Sequence, residues 1–379
     1  MRKRILIMTE WFYPGFKAGG PIRACHNLAM LLKDEYDLYI FTSDRDLKSE
    51  SPYAGITPNR WVSFSANIKV FYASPENLKW FSIKKEIQKI DAAHVYLNSM
   101  YSLYFTIYPL LMKRIGKLKS NIILSPRGML KESALQFKYA KKKSFLEMLK
   151  LFKISKGIGF HATDEQEKKD IRKIFGDAIS VNLIQDVPPE PEKNVFPVTK
   201  RSGELKLVFV GRIHRIKNLH FIMECLKKLT QKIELTVIGP IDDNAYYEFC
   251  KKLSASLPEN VSIHFAGEVS NEKIKSHLRE NHFMILPTLG ENYCYSIIES
   301  FCAGRPVIIT DRTPWQNLSN KKIGWDLPLD HHKEFLIALN SAASMVQEEF
   351  TEWSSSALNF SKKLFTTSNC KAEYSEMFS

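Results

Sequence analysis

Short apolar runs alternate with helix-period patterns along almost the whole chain. The runs at 5–8, 38–41, 68–71, 94–96, 122–124, 159–161 and 181–184 are too short for helices and are bounded by turn-forming residues, so they predict strands. Helical patterns between them mark βαβ units and parallel sheets rather than a sandwich or a bundle. Residues 187–193 then bring Pro188, Pro189 and Pro191 together, and each proline removes an amide donor, so this segment predicts a linker. Beyond it the alternation restarts at 207–210, 235–238, 263–265, 283–286 and 307–309, and from about His332 the pattern is helical to the end. The expectation is two doubly wound α/β domains, residues 1–190 and 191–360, with a last helix at about 361–379 packing back on the first. Open α/β sheets bind ligands at the carboxyl ends of their strands, so the loops after strands, facing an interdomain cleft, are where chemistry is expected.

Composition sharpens this picture in one place. The 379 residues are 44% hydrophobic, enough for two cores, and carry a formal charge of +13. Residues 1–190 hold 31 basic and 19 acidic side chains, against 23 and 22 in the remainder, and residues 111–160 alone hold 13 and 2. A block of this kind serves nucleic acid, an anionic membrane or a solvated helix face. No nucleic-acid reading motif accompanies it, so a nucleic-acid-binding protein is the weaker alternative. The six cysteines show no CxxC and no histidines at zinc spacing, which predicts a reducing, cytoplasmic chain without a disulfide or metal framework. The basic start is followed by an apolar run that Glu10 ends too early for a signal peptide. Residues 96–112 are apolar but contain Asn98, Ser99, Ser102, Thr106 and Pro109, and fall short of the roughly 20 residues a spanning helix needs. They predict a strand end and a buried or membrane-facing helix.

Three loops carry candidate chemistry. After the first strand, Gly19 and Gly20 precede a helical run, where glycine lets the backbone approach a ligand and a helix start offers amides to a phosphate. GxGxxG is absent, which counts against a nicotinamide dehydrogenase. The strand at 207–210 runs into Gly211-Arg212-Ile213-His214-Arg215-Ile216-Lys217, placing Arg212 and Lys217 where both could reach one anion. After the strand at 283–286 comes Gly290-Glu291-Asn292-Tyr293-Cys294-Tyr295, with Glu299 eight residues beyond Glu291. With a helix beginning near Tyr295, Glu291 lies in the loop and Glu299 one turn inside the helix, flanking the helix-start amides. Asp44-Arg45-Asp46 imitates a DxD metal motif, and Asp242-Asp243 is a second acid pair. Both read as solvated turn segments, so no metal is assigned. His161 reads as structural, with Thr163 or Asp164 capping the helix after it.

Residues 208–311 resemble the retaining glycosyltransferases of family 4, which have the GT-B fold. The matching elements are G-R-x4-K at Gly211, Arg212 and Lys217, then Val237-Ile238-Gly239, Phe265-Ala266-Gly267-Glu268-Val269, and E-x7-E at Glu291 and Glu299 followed by Ala303-Gly304-Arg305-Pro306-Val307. Ser125-Pro126-Arg127-Gly128-Met129-Leu130 is similar to a subset found in bacterial polysaccharide synthesis. The resemblance implies that Arg212 and Lys217 bind the diphosphate of a nucleotide-sugar donor and stabilise the charge developing on it. It implies that Glu299 accepts the ribose hydroxyls and that Glu291 holds the donor sugar beside the amides of Tyr293, Cys294 and Tyr295. Backbone near Gly239 and Val269 would recognise the base, and the Gly19-Gly20 loop would close on the phosphates. No metal and no cofactor besides the donor is implied. A UDP-sugar is favoured over a GDP-sugar, and the implied acceptor is a glycan or polyprenyl-linked saccharide in O-antigen, capsule or other surface polysaccharide synthesis. A nucleotide-sugar 2-epimerase shares the fold, but the two motifs together favour the transferase.

Three departures stand out. The usual E-G-F-G reads Glu291-Asn292-Tyr293-Cys294, whose larger side chains are expected to narrow the sugar pocket. Arg127-Gly128 stands where many relatives have His-Gly, making Arg127 an active-site cation without a defined role. Gln185-Asp186-Val187-Pro188 replaces P-N-G-V, a change expected to affect only the hinge. In this scheme residues 111–160 belong to the acceptor domain, and Leu135, Tyr139, Leu146 and Leu149 interleave with Lys138, Lys141, Lys142, Lys143 and Lys150. Such a helix suits an anionic membrane surface, which predicts peripheral association with the inner face of the plasma membrane.

Overall fold

The computed structural model describes residues 2–136 and 139–379, so Lys138 of the basic block lies outside the described residues. The chain divides into two compact units, Met1–Val187 with Asn369–Ser379, and Pro188–Ser368. The division lies three residues before the boundary expected at 190/191. The first unit has an eight-stranded sheet: β1 (Arg4–Thr9), β2 (Asp37–Ser43), β3 (Trp61–Ser65), β4 (Ile68–Ala73), β5 (His94–Asn98), β6 (Asn121–Ser125), β7 (Gly159–Ala162) and β8 (Val181–Leu183). Their order across the sheet is β3-β4-β2-β1-β5-β6-β7-β8. The second unit has β9 (Glu204–Val210), β10 (Lys232–Ile238), β11 (Val261–Gly267), β12 (Phe283–Leu286), β13 (Val307–Thr310) and β14 (Gly324–Leu327), in the order β11-β10-β9-β12-β13-β14.

Every pairing is parallel except β3 with β4. Both additions to the expected strands are at sheet edges. β3 is half-buried except at exposed Ser63 and joins β4 through Ala66 and Asn67, the latter at a φ of 60° that suits a two-residue hairpin turn. β14 also lacks the continuous apolar run that buried parallel strands show, because one side of an edge strand meets solvent. The central strands are apolar on both faces: Ile5, Leu6, Ile7 and Met8 are all fully buried, with Leu6 and Met8 in one core cluster and Ile5 and Ile7 in the other.

The helix Gln347–Thr367 belongs to the second unit, so the returning segment is shorter than the expected 361–379. Its helix, Cys370–Met377, buries Cys370, Tyr374 and Phe378 in the first unit's core, with the Phe378 ring against Tyr36, His94 and Tyr96. Residues 96–112 are the end of β5, a π-helical turn Leu103–Ile107, and the start of helix Tyr108–Arg114. Among the described residues no helix is long and apolar enough to cross a membrane. In the basic block, helix Tyr139–Leu151 turns Leu146 and Leu149 into the core, so these two of the apolar residues expected to meet lipid are already used in folding, while Tyr139 stays 56% exposed.

Candidate active site

In the second unit the chain lays β10 and β11 on one side of β9, then places β12, β13 and β14 on the other. The loops leaving β9 and β12 therefore lie side by side at the strand-order reversal, at the carboxyl ends of the strands, where open α/β sheets bind ligands in a crevice. After β9, Gly211 donates its N–H to Ile238 O (2.9 Å) and Ile213 to Pro240 O (2.9 Å), which ties the loop to the end of β10. The crossing is tight. A Cβ on Gly239, whose φ is +145°, would lie 2.0 Å from Gly211 O, so only glycine fits there. A 3-10 turn, Arg215–Lys217, then folds Lys217 back beneath Gly211 before helix Leu219–Leu226 begins.

Lys217 Nζ lies 2.5 Å from Glu291 Oε1, and Thr288 Oγ1 donates to the same oxygen at 2.7 Å. Glu291 N–H donates to Arg312 O (3.0 Å) and Leu289 N–H to Ile216 O (2.8 Å), so the two loops are laced together by backbone as well. The Lys217 and Glu291 side chains are 15% and 11% exposed, and in such a partly desolvated place each charge depends on the other. Directly behind them, helix Tyr295–Cys302 starts without a side-chain cap, directing the positive end of its dipole at this crevice. Glu299 is the fifth residue of that helix and is buried. A cation, a fixed carboxylate and a helix start together suit a ligand with a phosphate at one end and hydroxyls at the other.

Cys294, the N-cap residue, has φ 60° and ψ 79°, a left-handed conformation that glycine adopts without strain. Tyr293, one of the larger side chains expected to narrow the sugar pocket, packs into the fold. Its ring is buried against Tyr295 and Trp315, and Trp315 Nε1 donates to its carbonyl oxygen (2.8 Å). Arg212 does not join Lys217 on a common partner but pairs with Asp242 (2.6 Å), and its side chain is 44% exposed. Asp243 caps helix Asn244–Ser254 through Tyr246 N–H (3.0 Å) and meets Arg215 (3.4 Å). The acid pair is thus part of the architecture around the β9 loop rather than a solvated turn. Gly239 N–H donates to Gly267 O (2.8 Å), and Val269 is half-buried between β11 and helix Asn271–Glu280.

The first unit has its own reversal between β1 and β5. Here Gly19, at φ 65°, opens helix Gly20–Leu32, and nothing would meet a Cβ on it. The loop is held by Asp46, whose Oδ2 accepts from Phe16 N–H (2.8 Å) and Lys17 N–H (3.1 Å), while Asp44 pairs with Arg45 (2.8 Å). Both acids are buried, which corrects the reading of a solvated segment. The Arg127 side chain is only 7% exposed. It donates to Asn98 Oδ1 (2.6 Å) and Tyr96 Oη (2.9 Å) and forms an ion pair with Asp186. Tyr96 Oη lies 2.7 Å from His161 Nδ1, and His161 Nε2 lies 2.8 Å from Ile184 O. Asp186 is therefore not merely a hinge residue. Burial, with Arg127 nearby, pushes the His161 imidazole down to about 3, which fixes it as a neutral structural group.

Residues 191–320 match the family model described as glycosyl transferases group 1. This part of the chain is a glycosyltransferase domain. Solved structures extend the likeness of fold to the full length. A sucrose-phosphate synthase from Thermosynechococcus elongatus is 14% identical with a TM-score of 0.71, the match covering 100% of this chain and 98% of that one. Anabaena HepE in complex with UDP and glucose is 12% identical with a TM-score of 0.70, covering 99% of each chain. WaaG, a glycosyltransferase involved in lipopolysaccharide biosynthesis, is 12% identical with a TM-score of 0.65, covering 99% of this chain and 98% of that one. No curated protein matches the sequence. The two parallel-sheet units thus have the GT-B architecture, and the protein is a glycosyltransferase.

Around the transferase domain's Lys217–Glu291 pair, sequence reading missed Thr288, a lone hydroxyl after a proline with no motif to mark it. In the first unit it missed Glu10, which stands at the carboxyl end of β1 beside Ser102 with its carboxyl raised by burial. It also missed Glu167, which accepts from Gly128 N–H (2.6 Å), Thr163 N–H (2.8 Å) and Thr163 Oγ1 (2.9 Å). The signal for Glu167 was present. Asp164 caps helix Glu165–Phe175 and Glu167 stands three residues later, the spacing of a capping box.

Proposed function

We propose that the protein is a retaining glycosyltransferase that moves a sugar from a nucleotide-diphosphate donor to a glycan or polyprenyl-linked acceptor in surface polysaccharide synthesis. The observation that carries the reading is the Lys217–Glu291–Thr288 cluster at the strand-order reversal of a glycosyltransferase domain, set before a helix start. Lys217 exchanges its carboxylate partner for the donor diphosphate and stabilises the charge left on it as the bond from the anomeric carbon to the phosphate oxygen breaks. Glu291, held by Thr288 and Arg312 O, is then available to the sugar hydroxyls. Arg212 leaves Asp242 for the same diphosphate, and Glu299 receives the ribose. The acceptor oxygen bonds to the anomeric carbon on the departing face, and its proton passes to the leaving phosphate, so the residues named supply the electrostatics without a metal. A UDP-sugar is the favoured donor, since a structural neighbour binds UDP and glucose. Residues 111–160 are proposed to bring the enzyme to an anionic membrane at the inner face of the plasma membrane.

A panel of UDP- and GDP-sugars, without added metal, tests this by thermal stabilisation and donor hydrolysis. One donor is expected to raise the melting temperature, and Lys217→Ala and Glu291→Gln each to lower turnover about 100-fold or more. No response to any donor, or unaltered turnover in both variants, overturns it.

A further inference from the structure

Strands β5 to β8 are parallel neighbours, so the segments that precede β6, β7 and β8 gather at one corner of the first unit's sheet, at its amino-terminal edge. Arg114 Nε donates to Phe152 O (3.3 Å), which binds the end of helix Tyr108–Arg114 to the end of helix Tyr139–Leu151. Here the chain exposes large apolar side chains that the core does not use. Leu151 is 77% exposed, Phe152 58% and Ile115 57%. Lys150, Lys153 and Lys156 stand beside them and line a cavity of about 520 Å³ with Ser155 and Ser180. In residues 115–120, 139–158 and 176–180, Glu147, paired with Lys150 (3.1 Å), and Asp177 are the acids, and the cations outnumber them.

We infer that this corner is the surface by which the enzyme docks on an anionic phospholipid bilayer, with Ile115, Leu151 and Phe152 entering the headgroup boundary and the three lysines around the cavity receiving lipid phosphates. The inference rests on the membrane partner proposed above and places it on particular residues, different from the leucines the sequence pattern suggested. Exposed apolar side chains next to a group of cations match the two layers of a bilayer surface, acyl boundary and phosphates. A second copy of the chain is a poor occupant, because a self-complementary contact sets the same lysines against one another. Nucleic acid is a poorer fit, because its bases can stack on Phe152 but have nothing to set against the exposed aliphatic side chains of Ile115 and Leu151. Contact at this edge leaves the carboxyl-end loops, which carry Gly19 and Arg127, on the opposite edge of the same sheet.

The test is flotation of the full chain with vesicles of phosphatidylcholine alone or mixed with phosphatidylglycerol, at low and high salt, with donor-induced thermal stabilisation measured in parallel. Wild type is expected on the anionic vesicles only, with release at high salt. At about fivefold per lysine, Lys150→Gln/Lys153→Gln/Lys156→Gln is expected to weaken binding roughly 100-fold. Leu151→Ser/Phe152→Ser is expected to weaken it at least tenfold, with the melting temperature and donor response of both variants unchanged. Equal recovery on neutral and anionic vesicles, no recovery on either, or wild-type binding by both variants overturns the inference. So does binding of a DNA duplex that matches the vesicles in affinity and ignores Leu151→Ser/Phe152→Ser. Donor response without vesicle binding removes the docking surface and keeps the transferase; vesicle binding without donor response does the reverse.

Discussion

Replacing Arg127 with Met separates two roles for that side chain, a cation working on substrate and a clamp within the first unit. Its guanidinium donates to Asn98 Oδ1 (2.6 Å) and Tyr96 Oη (2.9 Å) and pairs with Asp186, with the two ionic side chains only 7% and 5% exposed. Removing one member of such a pair leaves the other charge desolvated without a partner, at a cost of about 3 to 5 kcal/mol. For a unit of this size each kcal/mol moves the melting temperature by about 2 to 4 °C, so Arg127→Met is expected to lower the first unit's transition by roughly 6 to 20 °C. Removing the second charge as well, in Arg127→Met/Asp186→Leu, is expected to recover most of that loss, so the double variant loses much less than the sum of the two single variants. Calorimetry and urea titration of wild type, both single variants and the double variant measure the cycle, and donor turnover is followed in each. If Arg127→Met melts within 2 °C of wild type yet loses turnover, the clamp is refuted and Arg127 acts on the substrate.

Acid titration, read as urea stability from pH 7.5 to 4.5, tests the buried histidines. His161 and His282 are held neutral chiefly by burial, at about 3 and about 4. Their folded values lie below the unfolded value, so their contribution is complete above about pH 6.5 and falls by about 1.4 kcal/mol per pH unit per histidine as the pH drops. The raised carboxyls of Glu10 and Glu167 oppose this near the carboxylate range, because the folded chain holds those protons more tightly. A flat profile between pH 6.5 and 5 refutes the burial argument. Cys294→Gly removes left-handed strain but also a thiol held 3.4 Å from Ser296 Oγ, so it is expected to change stability by less than about 1 kcal/mol, whereas Cys294→Val costs more than about 2 kcal/mol. Thermal melts in which Val is as well tolerated as Gly contradict the assigned backbone. Gly239→Ala is expected to cost about 3 kcal/mol or more and to abolish donor-induced stabilisation, because its methyl group meets the Gly211 carbonyl. A variant that melts and binds donor like wild type shows that the loops do not cross there.

Much of the candidate site was legible because its determinants are local. Lys217, Glu291 and Glu299 stand at fixed offsets from strand ends, and the helix start at Tyr295 follows from the apolar run behind it. The roles of the charged pairs were not legible. Arg212 and Lys217, five residues apart, each take a partner from a different loop, Asp242 after β10 and Glu291 after β12. Arg127 and Asp186 are 59 residues apart, and nothing in either segment announces that both are buried. The acids at 46, 242 and 243 look solvated in sequence because their partners are loop amides and arginines brought in by the sheet.

The sequence by itself determined the two-sheet α/β plan, since buried parallel strands must be apolar on both faces and the helices between them must show a 3.6-residue period. It also determined which loops carry chemistry, because strand ends and helix starts are local events. Tertiary structure alone decided strand order, and with it the reversals that bring the β9 loop against the β12 loop. It decided which leucines of the basic block face the core and which apolar side chains remain at the surface. The physical reason is common to all of these: burial and pairing depend on which segments the sheet places side by side, and a residue's own neighbours along the chain do not carry that information.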